Sequence, residues 1–319
     1  MADNIKCRIS AFRNDYRIAP GLYAVGSPDR NSDILVSANY KLSFDELRRE
    51  LTGLDLWVLV LDTKGINVWC AAGKGTFGTE ELLKRMTGTR LDKIVDHKRI
   101  IIPQLGAPGV SAHKIRQTTG FRVYYGPVYA RDIRAYISDG YKATRQMRRI
   151  DFTLMDRLVL TPMEIVPAMK KYPLYAAIVL LIFGIQPSGI IFRDAFYGGL
   201  PFLVFGLVSV AAGAFLTPLL LPFIPFRAFA VKGWLTGMAA VLPLLGMIDR
   251  SDALLNSAVL LFFPFMSSYI ALQFTGSTTF TGMTGVKKEL KIAVPAYIGI
   301  AAVSLILVIA SKVSHWGII

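Results

Sequence analysis

The sequence predicts an α/β, Rossmann-like domain followed by an all-α transmembrane domain of five helices. Three observations lead there. Charge is unevenly placed: the 319 residues hold 36 Lys and Arg and 22 Asp and Glu, of which residues 1–171 carry 28 and 18 and the remainder only 8 and 4. Short apolar runs alternate with helix-period segments through the charged part. The charge-poor part consists of uncharged apolar runs of about 20 residues or more, the length a bilayer core requires. The expected division is residues 1–160 for the first domain, 161–172 for a juxtamembrane linker and 173–319 for the membrane domain.

In the first domain "GLYAVG" (21–26), "DILVSA" (33–38), "LWVLVLD" (56–62), "RIIIPQ" (99–104) and "RVYYGP" (122–127) read as strands. Between them, "SFDELRREL" (43–51) opens on a serine N-cap. "TEELLKRMTG" (79–88) begins with Thr and two acids and ends on Gly, and "SAHKIRQTTG" (111–120) has the same Ser-to-Gly frame. Such alternation predicts a mainly parallel sheet, with ligands beyond the C-terminal strand ends. The loops after Ala38, Asp62, Gln104 and Tyr125 are therefore the ones that matter. "TPMEIVPAMKK" (161–171) follows as a basic, membrane-proximal helix or linker.

The second domain reads as five spans. Residues 174–192 carry no charge; residues 195–226 form a longer uncharged run that Pro218, Pro222 and Pro225 end or bend. Residues 228–247 are the weakest span, because Lys232 lies inside it and has to snorkel. Residues 253–274 and 292–311 complete the set. With the first domain in the cytoplasm, Lys170, Lys171, Arg227, Lys232, Lys287, Lys288 and Lys291 flank the inner side. Arg193, Arg250 and Lys312 flank the outer, beside Asp194, Asp249 and Asp252. Seven against three follows the positive-inside rule and puts the C-terminus outside a cytoplasmic membrane. No Asp, Glu or His falls at an expected midplane, which favours an anchor and docking platform over an ion-coupled transporter. The loop 275–290 then faces the cytoplasm.

Several chemistries fail on spacing. "GKGTFG" fits G-x-G-x-x-G through Gly73, Gly75 and Gly78, but its nearest strand ends near Asp62, well before the first glycine. A Walker A loop fails, since Lys74 precedes Gly75. Two cysteines, Cys7 and Cys70, and three scattered histidines, His97, His113 and His315, supply no zinc or iron–sulfur ligand set. They also exclude a disulfide-rich scaffold. "MADNIKCRISAFRND" has no apolar core, so it is no secretory signal. No hydrolase elbow or nucleic-acid-binding module is visible, and anionic lipid explains the basic surface with fewer assumptions. Cys7 is expected to be inert or a weak metal binder.

Cys70 lies in "GINVWCAAGKGTFG" (65–78). With Asn67 as N-cap, Val68, Trp69 and Cys70 take the first three helical positions and Gly73 closes the turn. A thiol in a first turn meets exposed N–H groups and the positive helix end, which favours thiolate; Lys74 adds to this. Ala71, Ala72 and Gly73 offer close backbone approach to a flat partner, with Trp69 as a cover. Two readings stand here: an axial ligand to a soft metal, or an inert buried cysteine.

"NVWCAAGK" (67–74) resembles the cap-helix signature of the HgcA family, the membrane corrinoid proteins of microbial mercury methylation. "VSANYKLSFDELR" (36–48), "QLGAPGVSAHKI" (104–115), "YYGPVYARDI" (124–133) and "MDRLVLTPMEI" (155–165) are similar to the corrinoid domain of the corrinoid iron–sulfur protein. The resemblance implies a cobalamin-type corrinoid on the α/β domain, with Cys70 as lower axial cobalt ligand. It implies methyl transfer from methylcobalt to Hg(II), forming methylmercury. The D-x-H-x-x-G motif of histidine-ligated corrinoid proteins is missing, and "VDHKRI" (95–100) matches only part of it. A thiolate donates strongly to cobalt and weakens the bond trans to it, which suits delivery of methyl with its electrons to an electrophile.

The implied partners are a methyltetrahydrofolate-linked methyltransferase as methyl source and a ferredoxin-like [4Fe–4S] protein, HgcB, as reductant and mercury donor. Membrane lipid is the remaining partner, with no role for nucleic acid. Strand-end logic adds Ser37, Ala38, Asn39, Leu105, Gly106, Ala107, Gly109, Tyr125 and Gly126 as corrin contacts beside Asn67–Lys74. Three rival readings are a membrane-tethered methyl carrier of one-carbon metabolism, a dinucleotide-dependent oxidoreductase, and a transporter with a regulatory domain.

Overall fold

The computed structural model describes residues 16–278 and 283–317. Cys7 and the tip of the 275–290 loop lie outside the described residues. The chain divides into two compact units, Met1–Asp151 and Phe152–Ile319.

The first unit is built on five strands: β1 (Gly21–Val25), β2 (Ile34–Ala38), β3 (Leu56–Leu61), β4 (Arg99–Ile102) and β5 (Arg122–Tyr125). Their order in the sheet is β1-β3-β2-β4-β5, with β1 antiparallel to β3 and the rest parallel. The sheet is thus mostly parallel, as the alternation of runs predicts. The helices are α1 (Lys41–Glu50), α2 (Val68–Lys74), α3 (Thr79–Gly88), α4 (Leu91–Ile94), α5 (Ala112–Thr119) and α6 (Ile133–Ser138), with a 3₁₀ turn over Gln104–Gly109.

Strand periodicity sends alternate residues to opposite faces. Ile34, Val36 and Ala38 join Leu59, Leu61, Ile100 and Ile102 in a core with Ala71, Phe77, Leu82 and Ile115. Leu35, Val58, Val60 and Ile101 face the other way, against Phe44, Leu47, Ile133 and Tyr136. Both faces are covered, which is why the strands read as unbroken apolar runs. From β2 the chain steps to β3 on one side and then crosses to β4 on the other. The direction of winding therefore reverses between β2 and β4, where Leu35 pairs with Ile101.

Three local expectations need correction. Ser43 is not an N-cap: α1 starts at Lys41 behind an extended Tyr40, which bridges back to Arg17. The fourth run stops as a strand at Ile102, because Pro103 lacks an N–H donor and the 3₁₀ turn begins at Gln104. Gly73 lies inside α2, and Gly75, in the left-handed conformation at φ 80°, closes it.

Among the described residues the second unit holds five helical stretches long and apolar enough to cross a membrane: Leu154–Gly184, Phe192–Leu220, Phe229–Met247, Ala253–Gly276 and Gly285–His315. In detail they are α7 (Leu154–Leu160) leading into α8 (Pro162–Gly184), α9 (Phe192–Ala211) running through a π-turn into α10 (Thr217–Leu220), α11 (Phe229–Val241), α12 (Ala253–Gln273) and α13 (Met283–His315). Residues 161–172, expected as a linker, are the first turns of α8. Pro162 sits in its opening turn, where a missing N–H costs nothing. The helix that carries the expected first span therefore begins and ends earlier in the chain than that span. Residues beyond Gly184 turn back as a short hairpin, β6 (Ile185–Gln186) with β7 (Gly189–Ile190), before α9.

Lys232 does not snorkel. It is buried, and its Nζ donates to the Leu221 carbonyl at the end of α10. Small residues bring these helices together: a Cβ on Gly233 or Gly237 would lie under 3.0 Å from α12.

Candidate functional site

An open cleft of about 540 Å³ lies at the C-terminal ends of β2 and β4. Leu35, Val36 and Ser37 contribute from β2, Ile101, Pro103 and Leu105 from β4 and its turn, and residues 126–131 from the segment after β5. Asn67, Val68 and Trp69 close one side, and the Ser43, Glu46 and Glu50 stripe of α1 closes another. This is the switch point of the sheet, where the loops after two neighbouring strands leave in opposite directions and open a crevice.

The α2 segment depends on its surroundings, since a helix of seven residues is too short to persist alone. Its first turn is capped: the Asn67 side-chain oxygen accepts the Cys70 backbone N–H at 2.9 Å. The loop leading into it is tied to the end of β2. Asn39 is buried, and its Oδ1 accepts from the backbone N–H groups of Thr63 at 3.1 Å and Gly65 at 2.9 Å. Its Nδ2 donates to Asp62 at 3.2 Å. The Thr63 hydroxyl donates onward to the Ile66 carbonyl at 2.6 Å. Lys64 and Gly65, at φ 58° and 73°, make the tight turn that these bonds hold.

Beyond the helix, α2 packs on the Gln104–Gly109 turn. The approach is close enough to require glycine there. A Cβ on Gly109 would stand 2.0 Å from the Phe77 carbonyl oxygen, and one on Gly106 would stand 2.4 Å from the Phe77 ring. The glycines of "GKGTFG" have conformational duties as well: Gly75 ends α2 and Gly78 precedes α3. No strand ends at Gly73, so a dinucleotide loop is not formed.

Of the expected ligand contacts, Ser37, Asn67, Val68, Trp69, Leu105 and Gly126 border the cleft. Cys70 is half-buried at the third position of α2, next to Trp69 but outside the cleft wall. Gly73 and Lys74 are exposed and also outside it. Ala71 and Ala72 are both buried in the core, because a helix this short spends its inner face on the sheet. Ala38 is likewise core, and Asn39 holds a loop instead of facing a ligand. Gly106 is buried under Phe77; Ala107 accepts from the Val110 N–H within its turn. Gly109 meets the Phe77 carbonyl, and the Tyr125 hydroxyl donates to the Val110 carbonyl at 3.2 Å.

Sequence reasoning missed the α1 wall and the 127–131 segment, where Arg131 stacks over Tyr129 at 4.5 Å. The α1 signal was present, since Ser43, Glu46 and Glu50 recur at helical spacing on one face. Among the described residues no group of three or more His, Cys, Asp or Glu could hold a metal ion. No histidine borders the cleft.

Fold and cleft together define a doubly wound α/β domain with an open cleft at its switch point, followed in the chain by membrane-length helices. Residues 11–137 match the CdhD family, the CO dehydrogenase/acetyl-CoA synthase delta subunit. The corrinoid/iron-sulfur protein large subunit of Moorella thermoacetica is 33% identical over 122 residues, 38% of this chain and 27% of the relative. The acetyl-CoA decarbonylase/synthase complex subunit gamma of Archaeoglobus fulgidus is 27% identical over 131 residues, 40% of this chain and 27% of that one. Its counterpart in Methanopyrus kandleri is 30% identical over 123 residues, 38% and 26%. The first unit is therefore a domain of the kind these proteins contain, and the chain spans about a quarter of the length of the curated relatives it matches.

Proposed function

We propose that the first unit is a corrinoid-binding methyl-carrier domain held at a membrane by the five helices, with Cys70 as lower axial ligand of the cobalt. The observation that carries this reading is the β2/β4 cleft walled by the first turn of α2, in a domain similar to subunits of corrinoid and acetyl-CoA decarbonylase/synthase proteins.

The residues present fit such a group. The described residues offer no cluster for a bare ion, so a cobalt held here would come inside its cofactor, to which the protein would add a donor and a wall. Cys70 would be that donor: it follows Val68 and Trp69 of the cleft wall at the third position of α2, and a soft thiolate suits cobalt. When bound, the corrinoid would supply a cobalt centre that takes up a methyl group and hands it on.

The chain's own contributions follow from its geometry. The Asn67 side chain fixes Cys70 by accepting its backbone N–H. Val68, Trp69 and Leu105 would give such a group an apolar wall to pack on. Ser37, Arg49, Glu46 and Arg131 give polar edges suited to the carboxamide arms of a corrinoid. Asn39 keeps the loop before α2 in register, so the wall and the thiol are presented together.

The finer reading makes the protein a corrinoid-dependent methyltransferase with Hg(II) as the methyl acceptor and methylmercury as product. It is supported by the "NVWCAAGK" motif joined to five membrane-length helices. In this reading the first unit lies in the cytoplasm, as the basic flanks of the spans favour. Two cysteines cannot hold an iron–sulfur cluster, so reduction falls to a separate ferredoxin-like protein of the HgcB kind, which also brings mercury. A methyltetrahydrofolate-linked methyltransferase supplies the methyl group.

A second reading has a specific observation behind it. The similarity to proteins named for acetyl-CoA decarbonylase/synthase favours a membrane-tethered carrier of one-carbon metabolism with another acceptor. A chromosomal Cys70→Ala strain separates the two. Loss of mercury methylation with one-carbon growth intact supports the mercury reading; loss of that growth supports the second.

A further inference from the structure

Glu81 lies outside the cleft wall, yet it closes the stretch of chain that carries Cys70. After β3 the chain leaves the sheet, runs through the 62–66 loop, α2 and the Gly75–Gly78 turn, and enters α3. Glu81 sits in the first turn of α3, and its Oε1 accepts the backbone N–H of Asp62 at 2.9 Å. Asp62 is the first residue after β3. The whole excursion is thus pinned at its base, by a bond between residues 19 apart in the chain.

The clamp is itself held. One helical turn further on, Nε and Nη2 of Arg85 donate to the same Oε1 at 3.1 and 2.7 Å. The Glu81 and Arg85 side chains are only 16% and 21% exposed, so water and salt screen this pair less than an exposed one. Glu80, one residue earlier, shows the contrast: it stands in solvent and pairs with Lys114 of α5. A carboxylate in the first turn of α3 is also favoured by the positive end of that helix.

The same turn of α3 holds the other surroundings of α2. The Thr79 hydroxyl oxygen accepts the Ser111 N–H at 2.8 Å, just past the Gln104–Gly109 turn on which α2 packs. Gly78 stands where a Cβ would lie 2.9 Å from the carbonyl oxygen of Gly75, the residue that closes α2. Asn39 holds the middle of the 62–66 loop from β2, whereas Glu81 holds its first residue from α3. One set of bonds fixes how the loop turns, and the other fixes where it starts.

We infer that Glu81, held by Arg85, is a positioning residue for Cys70: by fixing Asp62 it sets the reach of the Cys70 sulfur toward the β2/β4 cleft. This rests on the reading of Cys70 as axial ligand. Glu81 does not line the cleft, so it acts through the chain between Asp62 and Cys70. A bond to a charged acceptor is among the stronger ones, and it is made here at the point where the strand ladder stops. Asp62 is exposed, so water takes the place of a lost acceptor and Glu81→Ala is expected to fold.

The test compares the full-length wild type with Glu81→Gln, Glu81→Ala and Cys70→Ala in nonionic detergent. Hydrogen exchange is followed on the cofactor-free chains, and the visible spectrum on chains loaded with cobalamin. Glu81→Gln keeps an acceptor oxygen for Asp62 and should match wild type in both. Glu81→Ala should exchange about fivefold faster over residues 62–74, and its spectrum should move toward that of Cys70→Ala. A purely structural Glu81 would lower stability and leave the spectrum in place. The inference is overturned if Glu81→Ala keeps the wild-type exchange or the wild-type spectrum. It is overturned as well if Glu81→Gln shifts as far as Glu81→Ala, which would assign the effect to charge. If Cys70→Ala shares the wild-type spectrum, the ligation itself fails and the inference with it; faster exchange in Glu81→Ala then marks the clamp as structural.

Discussion

Asn67 Oδ1 lies 2.9 Å from the backbone nitrogen of Cys70 and accepts its hydrogen bond. The residue that caps α2 is thus bonded to the residue assigned to the metal. Removing the cap with Asn67→Ala should cost about 1 kcal/mol locally, and Asn67→Asp should keep most of it. Hydrogen exchange across Val68–Lys74 is the measurement, with about fivefold faster exchange expected in the alanine variant. Unchanged exchange in Asn67→Ala would remove the cap from the account.

Asn39 acts one step further back. Asn39→Ala leaves the buried N–H of Gly65 without its acceptor and the N–H of Thr63 with only its bond to the Leu61 carbonyl, at about 2 kcal/mol in total. The loop 62–66 and α2 should lose exchange protection together, while β5 keeps its own. Loss confined to β2 would mean that Asn39 serves only its strand.

Gly109→Ala tests the contact between α2 and the Gln104–Gly109 turn. The new methyl group would stand 2.0 Å from the Phe77 carbonyl oxygen and 3.4 Å from the Ala72 Cα, so backbone has to move. A cost of about 2 kcal/mol is expected from overpacking. Faster exchange should appear in both segments, with β2 and β4 unaffected.

The tyrosines on the α6 side set an alkaline limit. Burial pushes the Tyr136 phenol up to about 12. Tyr141 is also raised, by burial and then by its bond to Asp33, whose two carboxylate oxygens each lie 2.9 Å from the hydroxyl. The folded state therefore favours the protonated phenols. Their stabilisation is complete below pH 10, the ordinary tyrosine value, and is lost as pH rises through the folded values. Protection of the Ile133–Ser138 helix should fall between pH 10 and about 12. Tyr136→Phe and Tyr141→Phe should each make that fall shallower; an unchanged profile in both contradicts the assignment.

How much of this was legible in the sequence depends on where periodicity and charge agree. The five runs of the first unit became five strands because Val36, Val58, Ile100 and their neighbours alternate between two buried faces. Asn67 and the Ser111–Gly120 frame were readable as caps, since side-chain oxygen and left-handed glycine do local work there. The membrane boundary was less legible. Arg157 and Asp156 make α7 look soluble, and Pro167 and Pro173 make α8 look like a linker. Membrane helices tolerate such prolines because neighbouring helices satisfy the freed groups. The hairpin after Gly184 was hidden inside an uncharged run, although Pro187, Ser188 and Gly189 signal a turn. At the site, α2 read correctly as a capped helix, but its alanines turned inward. A sequence shows which residues are small; only packing decides whether ligand or core takes the space.

The central claim is that Cys70 sulfur ligates the cobalt of a corrinoid in the first unit. It is tested most directly by metal analysis and the visible spectrum of the full-length chain reconstituted with cobalamin, wild type beside Cys70→Ala. The account predicts about one cobalt per wild-type chain, as expected for one corrinoid in the β2/β4 cleft, and a visible spectrum that shifts when the thiol is removed. Stoichiometric cobalt with an identical spectrum in the alanine variant would contradict axial thiolate ligation, and a wild-type chain that binds no cobalt would contradict the corrinoid assignment itself.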